Sequence, residues 1–140
     1  MGTDVHVSND VTREKVVIGI ITEATTLTAA TSGTTYVLPA ATAGAAITLP
    51  ALAAGLNFKF IVTGLIATTS WTIVTADAAK VLYGIANVNS VAISGSLETT
   101  VSLVHDSETI GDYANFVCDG TFWYVDGMAF AAGGLTFTGA

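Results

Sequence analysis

From Asn57 to Thr63 the chain alternates, with Phe58, Phe60 and Val62 falling to one side and Asn57, Lys59, Ile61 and Thr63 to the other. A period of two belongs to a strand with one face in a core. Trp71 to Thr75 repeats the pattern, aligning Trp71, Ile73 and Thr75, and Thr99 to His105 repeats it again through Thr99, Val101 and Leu103. Further strands are predicted at Val81 to Ile85, Ser90 to Ser94 and, after Gly133-Gly134, Leu135 to Thr138. Lys15 to Ile21 (KVVIGII) is a β-branched run of the kind found in strands buried on both faces. Glu23 to Ser32, rich in Thr and Ala, reads as a loop or a weak strand. No segment sustains a helical period, although Ala76 to Leu82 has room for one turn.

The densest pattern is GDYANFVCDGTFWYVDG, Gly111 to Gly127. Asp119-Gly120 between two apolar runs predicts a tight hairpin whose two loop positions both take positive φ. That loop would set Cys118 opposite Thr121, Val117 opposite Phe122, Phe116 opposite Trp123 and Asn115 opposite Tyr124. One face then carries Ala114, Phe116, Cys118, Thr121, Trp123 and Val125, which reads as core. The other carries Tyr113, Asn115, Val117, Phe122, Tyr124 and Asp126, which is too aromatic for a surface that meets only water.

Leu38-Pro39-Ala40-Ala41 with Gly44 is echoed eleven residues later by Leu49-Pro50-Ala51 with Gly55. Two copies are too few for a solenoid, so the echo reads as two loops that end strands alike. Eight to ten short strands at the spacing of sandwiches and barrels make the chain all-β. The expected architecture is an antiparallel β-sandwich, jelly-roll-like, with a small β-barrel as the alternative. Residues 15–140 form one domain in this reading. The polar, aperiodic Met1 to Glu14 is an extended N-terminal arm, either a disordered terminus or an element that orders against a neighbour, with Thr3, Val5, Val7 and Val11 as its contact candidates.

Composition narrows the function. Charged residues make up 11% of the chain, under half the usual quarter, and the net charge is −7. Residues 81 to 140 hold six acids and neither Lys nor Arg, which argues against nucleic acid, whose binding rests on cations that displace phosphate counterions. The uncharged stretch Ala24 to Phe58 is long enough for a membrane span but contains Pro39, Gly44, Pro50 and Gly55. It is read as strands and turns, with no membrane partner. No signal-peptide pattern is visible, and His6 breaks the myristoylation pattern begun by Gly2. The single cysteine, Cys118, excludes an internal disulfide and reads as a small buried hydrophobe.

Catalytic apparatus is not found. The nucleophile-elbow, phosphate-loop, zinc-protease and calcium-loop patterns are all missing. His105-Asp106-Ser107-Glu108 with Asp112 has metal-ligand residue types, but one His without ligand spacing reads as a solvated loop leading into the hairpin. Trp71 and Trp123 are assigned to core rather than to stacking platforms. The chain is accordingly expected to be no enzyme, with no cofactor, metal or small-molecule substrate.

The runs TYVLPAATAGAAITLPALAAGLNFKFIVTG, WTIVTAD and GDYANFVCDGTFWYVDGMA resemble small β-domains in virion proteins of tailed phages. The resemblance lies in Leu49-Pro50 with Gly55 and Phe58-Lys59-Phe60, and in Gly111-Asp112 leading to Val117-Cys118-Asp119-Gly120-Thr121 and Trp123-Tyr124-Val125. It covers about two thirds of the chain and consists mainly of turn and packing signals. It implies a capsid decoration (cement) protein, or a related fibre or spike module, usually a homotrimer. The implied partners are copies of itself and the major capsid protein on the virion exterior, with Tyr113, Phe122 and Tyr124 as contact candidates beside the arm.

Overall fold

The computed structural model describes residues 15–140. These residues are all-β, with twelve strands: β1 (Ile18–Ile20), β2 (Thr25–Thr26), β3 (Thr35–Leu38), β4 (Ala46–Thr48), β5 (Ala54–Val62), β6 (Trp71–Val74), β7 (Leu82–Val88), β8 (Val91–Glu98), β9 (Thr100–Leu103), β10 (Tyr113–Asp119), β11 (Trp123–Ala129) and β12 (Leu135–Thr138). Helix is confined to a single 3-10 turn at Ala29–Thr31; Ala76–Ala78, where the sequence left room for one turn, is a tight turn with positive φ at Asp77 (55°) and Ala78 (51°).

The strands form two sheets, ordered β1-β3-β5-β10-β11-β7-β8 and β12-β9-β6-β4-β2. One core lies between them. The seven-stranded sheet sends in Leu38, Phe58, Phe60, Leu82, Ala114, Phe116, Cys118, Trp123 and Val125, and the five-stranded sheet answers with Ile47, Trp71, Ile73, Val101, Leu103 and Leu135. Phe58, Phe60, Trp71, Ile73, Val101, Leu103 and the inward hairpin residues follow the period of two read from the sequence. Trp71, Trp123 and Cys118 are core residues, as expected.

Pairing is mixed where the sequence predicted only antiparallel strands. β1 to β6 alternate between the sheets, so that β1, β3 and β5 run parallel in one and β2, β4 and β6 run parallel in the other. The first half of the domain is therefore a parallel coil of three turns. The Leu-Pro echo spans half a turn: Leu38 ends β3 in one sheet, and Leu49 follows β4 in the other. It does mark two strand ends, but it hides the coil because stacked turns differ in length. Ile18 lies against Thr35, seventeen positions on, whereas Thr35 lies against Lys59, twenty-four positions on. From β7 onward antiparallel neighbours dominate, and only the β7–β11 pair is parallel.

Two local expectations are corrected. Lys15 to Ile21 is an exposed edge rather than a doubly buried strand; β1 takes only its last residues, and Ile21 alone is buried. In the β10–β11 hairpin the chain turns at Gly120-Thr121, one residue later than predicted, so Cys118 pairs with Trp123, Val117 with Tyr124, Phe116 with Val125 and Asn115 with Asp126. The Asp119 side chain explains the shift: its Oδ1 accepts the Thr121 and Phe122 N–H groups, both at 2.8 Å. Only Gly120 has positive φ there (98°). A two-residue turn with both φ positive occurs instead at Asn89-Ser90, between β7 and β8. Because the register moves by two, every face assignment is kept apart from Thr121, which sits in the loop.

Trp123→Ala is expected to lower the unfolding free energy by about 3–5 kcal/mol, while Val117→Ser, on the opposite face of the same hairpin, changes it by no more than about 1 kcal/mol. Urea midpoints for the two variants check the inside–outside assignment.

Candidate interaction surface

The outer face of the seven-stranded sheet points away from the core between the sheets, and registered pairing sorts its side chains into rows across the strands. One row is largely apolar: Ile20, Val37, Ile61, Tyr113 and Met128. The next is polar at its centre and apolar at its ends, running Ile18, Thr35, Lys59, Asn115, Asp126 and Ile85. A third runs Asn57, Val117, Tyr124 and Tyr83.

Aromatic contacts organise this face. Lys59 Nζ stands 4.7 Å from the centre of the Tyr113 ring, a cation–π contact that fixes both side chains. Tyr83 is the hub at the other end, edge-on to Phe122 at 5.1 Å and stacked on Tyr124 at 6.4 Å. The Tyr124 hydroxyl donates to Asp119 Oδ2 at 2.9 Å, so the turn and the aromatic group hold one another. The N–H groups of Phe122 and Thr121, then the Tyr124 hydroxyl, hold the Asp119 carboxyl below the usual carboxylate range. The same bond to Asp119 raises the Tyr124 phenol. The same face holds an open depression of about 320 Å³, lined in part by Val16, Thr35, Asn57, Lys59, Asn115 and Asp126.

The three hairpin residues singled out from the sequence do share this outer face. Tyr113 and Phe122 are half-buried and Tyr124 is 45% exposed. They form two groups rather than one, because Tyr113 belongs to the apolar row while Phe122 and Tyr124 flank Tyr83. Tyr83 was not singled out. The alternation of Leu82 and Tyr83 is legible in the sequence, but nothing local shows that β7 runs parallel beside β11, forty residues away. Thr3, Val5, Val7 and Val11 lie outside the described residues.

The His105 to Asp112 segment is a structural latch rather than a solvated loop. Asp112 is fully buried; its carboxylate accepts the N–H groups of Thr109 at 2.9 Å and Phe130 at 3.0 Å. Glu108 Oε1 accepts the Ile66 N–H at 2.9 Å, and His105 Nδ1 lies 3.2 Å from the Ile66 carbonyl. The segment thus ties the loop after β5 to the end of β11. Among the described residues no three His, Cys, Asp or Glu side chains gather as metal ligands, and no helix is long and apolar enough to cross a membrane. Burial raises the Asp112 pKa, against the two backbone hydrogen bonds that lower it and with the Glu108 charge adding to the rise.

No protein-family model matches the chain, and no curated protein or solved structure matches it.

Two pH responses follow. The Thr121 and Phe122 amide resonances should move with a midpoint below the ordinary aspartate pKa, because folding favours the ionised form of Asp119. Asp112 has the opposite sign. Its folded pKa is raised, so its contribution to stability is greatest below the unfolded pKa and declines as pH rises through the folded value. The stability advantage of the native chain over Asp112→Asn should therefore shrink as pH is raised across that window in urea titrations. An advantage that grows with pH contradicts the assignment.

Proposed function

We propose that this chain is a non-enzymatic virion structural protein that decorates and stabilises an assembled phage capsid. Its partners are copies of itself, as a homotrimer, and the major capsid protein on the shell exterior. The observation that carries the reading is the outer face of the seven-stranded sheet, where Ile20, Val37, Ile61, Tyr113 and Met128 form one apolar row and Tyr83, Phe122 and Tyr124 form an aromatic group. Large apolar patches on a small domain mark protein interfaces, and Tyr is enriched where they are strongest. The low charge of the chain supports the same reading, since a surface poor in ions costs less to dehydrate on contact. Cementing needs no chemistry: free energy gained only on the completed lattice stabilises that lattice by linkage.

A second reading, a fibre or spike module that binds a host receptor or glycan, is favoured by one feature. A depression on this face gathers the polar side chains of Thr35, Asn57, Lys59, Asn115 and Asp126, and the rows on either side of Lys59, Asn115 and Asp126 carry Tyr113 and Tyr124. Glycan-array binding that Asn115→Ala abolishes, without loss of shell attachment, would favour it.

Size-exclusion chromatography with light scattering should give a trimer, and the chain should cosediment with empty shells. Tyr83→Ala combined with Tyr124→Ala should weaken that attachment about tenfold or more while the domain stays folded. Deleting residues 1 to 14 should weaken attachment without unfolding the domain. A stable monomer that leaves shells unbound contradicts the proposal.

A further inference from the structure

We infer that β8 pairs edge to edge with β8 of a second copy of this chain, antiparallel and across a two-fold axis that passes beside Ser94. The inference goes beyond the three-fold assembly proposed above, because it adds a contact that joins one trimer to the next.

Four strands end the two sheets: β1, β8, β12 and β2. Three of them are two to four residues long, whereas β8 runs for eight, Val91–Glu98. Sheet edges are ordinarily guarded by shortness, charge, proline or a bulge, and β8 has only a bulge. It lies near one end, where the pairing with β7 shifts between Gly95 and Glu98 and Leu97 has φ 55°. The turn at Asn89-Ser90 bounds the other end, which leaves Val91 to Ser96 without charge or proline. A two-residue turn is closed by a hydrogen-bonded pair, here Val88 and Val91. Such pairs alternate along an antiparallel ladder, so Val91, Ile93 and Gly95 bond to β7 while the N–H and C=O groups of Ala92, Ser94 and Ser96 point away from it. Among the described residues no other backbone group meets them.

The occupant is argued from the fit of this edge to itself. The outward groups are centred on Ser94, and an axis there sets Ser94 against Ser94 and Ala92 against Ser96 of the other copy. Each hydrogen-bonded pair exchanges two bonds, so this register makes about six, against about four for an axis at Ile93 or Gly95. The intervening side chains suit the same register. Ile93 falls opposite Gly95, at a closely spaced position where two large side chains would crowd. Val91 and Leu97, which are 61% and 42% exposed, fall opposite each other.

Charge points to the same occupant. From Val81 to Leu97 there is no charged residue, although residues 81 to 140 hold six acids. Copies of a chain with net charge −7 therefore meet here with least repulsion, and Glu98 falls opposite Ser90 rather than another acid. A cationic strand from a foreign protein would find no acid in this stretch to pair with. An axis perpendicular to the sheet also turns the outer faces of both copies, with Tyr83, Phe122 and Tyr124, to the same side, as attachment to one shell requires. Strand addition draws affinity from main-chain hydrogen bonds and register from alternate side chains. Two short strands cover less than the about 1,200 Å² of a stable interface, so the pairing needs copies held close, on a shell or at high concentration.

The test uses full-length chains at about 1 mM, the effective concentration of close neighbours. Ser94→Cys alone should form a disulfide between two chains under mild oxidation, because directly opposite Cα atoms about 5.5 Å apart are within reach of one. Ala92→Cys mixed with Ser96→Cys should join the two variants to each other, while either variant alone links about tenfold more slowly. All three positions are exposed, the native Cys118 is buried, and the unsubstituted chain is the control. Hydrogen exchange at the Ala92, Ser94 and Ser96 amides should slow by about tenfold or more between dilute and concentrated chain. Ser94→Pro removes an N–H that β7 does not use, so it should abolish that slowing at the other two while the domain stays folded. Amides already protected at high dilution mean that the chain covers its own edge, and they overturn the inference, as do equal linking rates for every cysteine placement. Trimers that show neither the cross-link nor concentration-dependent protection overturn it and leave the proposed assembly in place. Paired chains that form no trimer and leave shells unbound uphold it and overturn that assembly.

Discussion

Phe58, Trp123, Phe116, Phe60 and Tyr36 form a continuous aromatic seam across four adjacent strands of the seven-stranded sheet, with successive ring centres 5.5–6.3 Å apart. The rest of the structure depends on it. These rings occupy alternate positions of β3, β5, β10 and β11, and once they are packed against the five-stranded sheet the intervening residues must point outward. A slip of one residue in any of these strands would bury Lys59, Asn115 or Asp126 and expose rings that each remove a large apolar area from water. The seam therefore determines which side chains reach solvent, and through them what the outer face offers a partner.

The two halves of the domain reach this sandwich by different routes. β1 to β6 wind as a coil and contribute parallel strands to both sheets, and the later hairpins fill in beside them. β10 joins the halves, being antiparallel to β5 on one side and to β11 on the other. The latch from His105 to Asp112 sits immediately before that strand, and Asp112 fastens it to Thr109 and Phe130 through backbone hydrogen bonds. A buried carboxylate with no cation beside it among the described residues is tolerated because both oxygens are satisfied by N–H groups. The densest polar cluster in the sequence thus holds the fold together, and the sheet face, chemically plain but rich in rings, is left as the candidate site.

Much of the local structure was legible in the sequence because alternation is a local property. The strands at β5, β6, β9, β10, β11 and β12 and the division of the hairpin into two faces follow from single side chains and their neighbours. The topology was less legible. A coil whose turns differ in length leaves no fixed period, so two Leu-Pro strand ends resemble a simple echo. KVVIGII looks like a buried strand because edge and centre differ only in what lies alongside, and composition does not record that. The hairpin turn moved by one residue because the Asp119 carboxylate, rather than backbone geometry alone, selects where the chain reverses. Tyr83 went unnoticed for a related reason: its partners Phe122 and Tyr124 come from a parallel strand remote in sequence.

The proposal about function comes down to whether the outer face of the seven-stranded sheet meets another protein. Hydroxyl-radical footprinting of Tyr83, Tyr113 and Tyr124 in the free chain at low concentration, and in the same chain bound to shells, addresses this directly. Strong protection of these three tyrosines on the shell, with the free chain labelled readily at Tyr124, is the predicted result. Equal labelling in both states, on shells to which the chain is demonstrably bound, would contradict the account and move the interface to another surface.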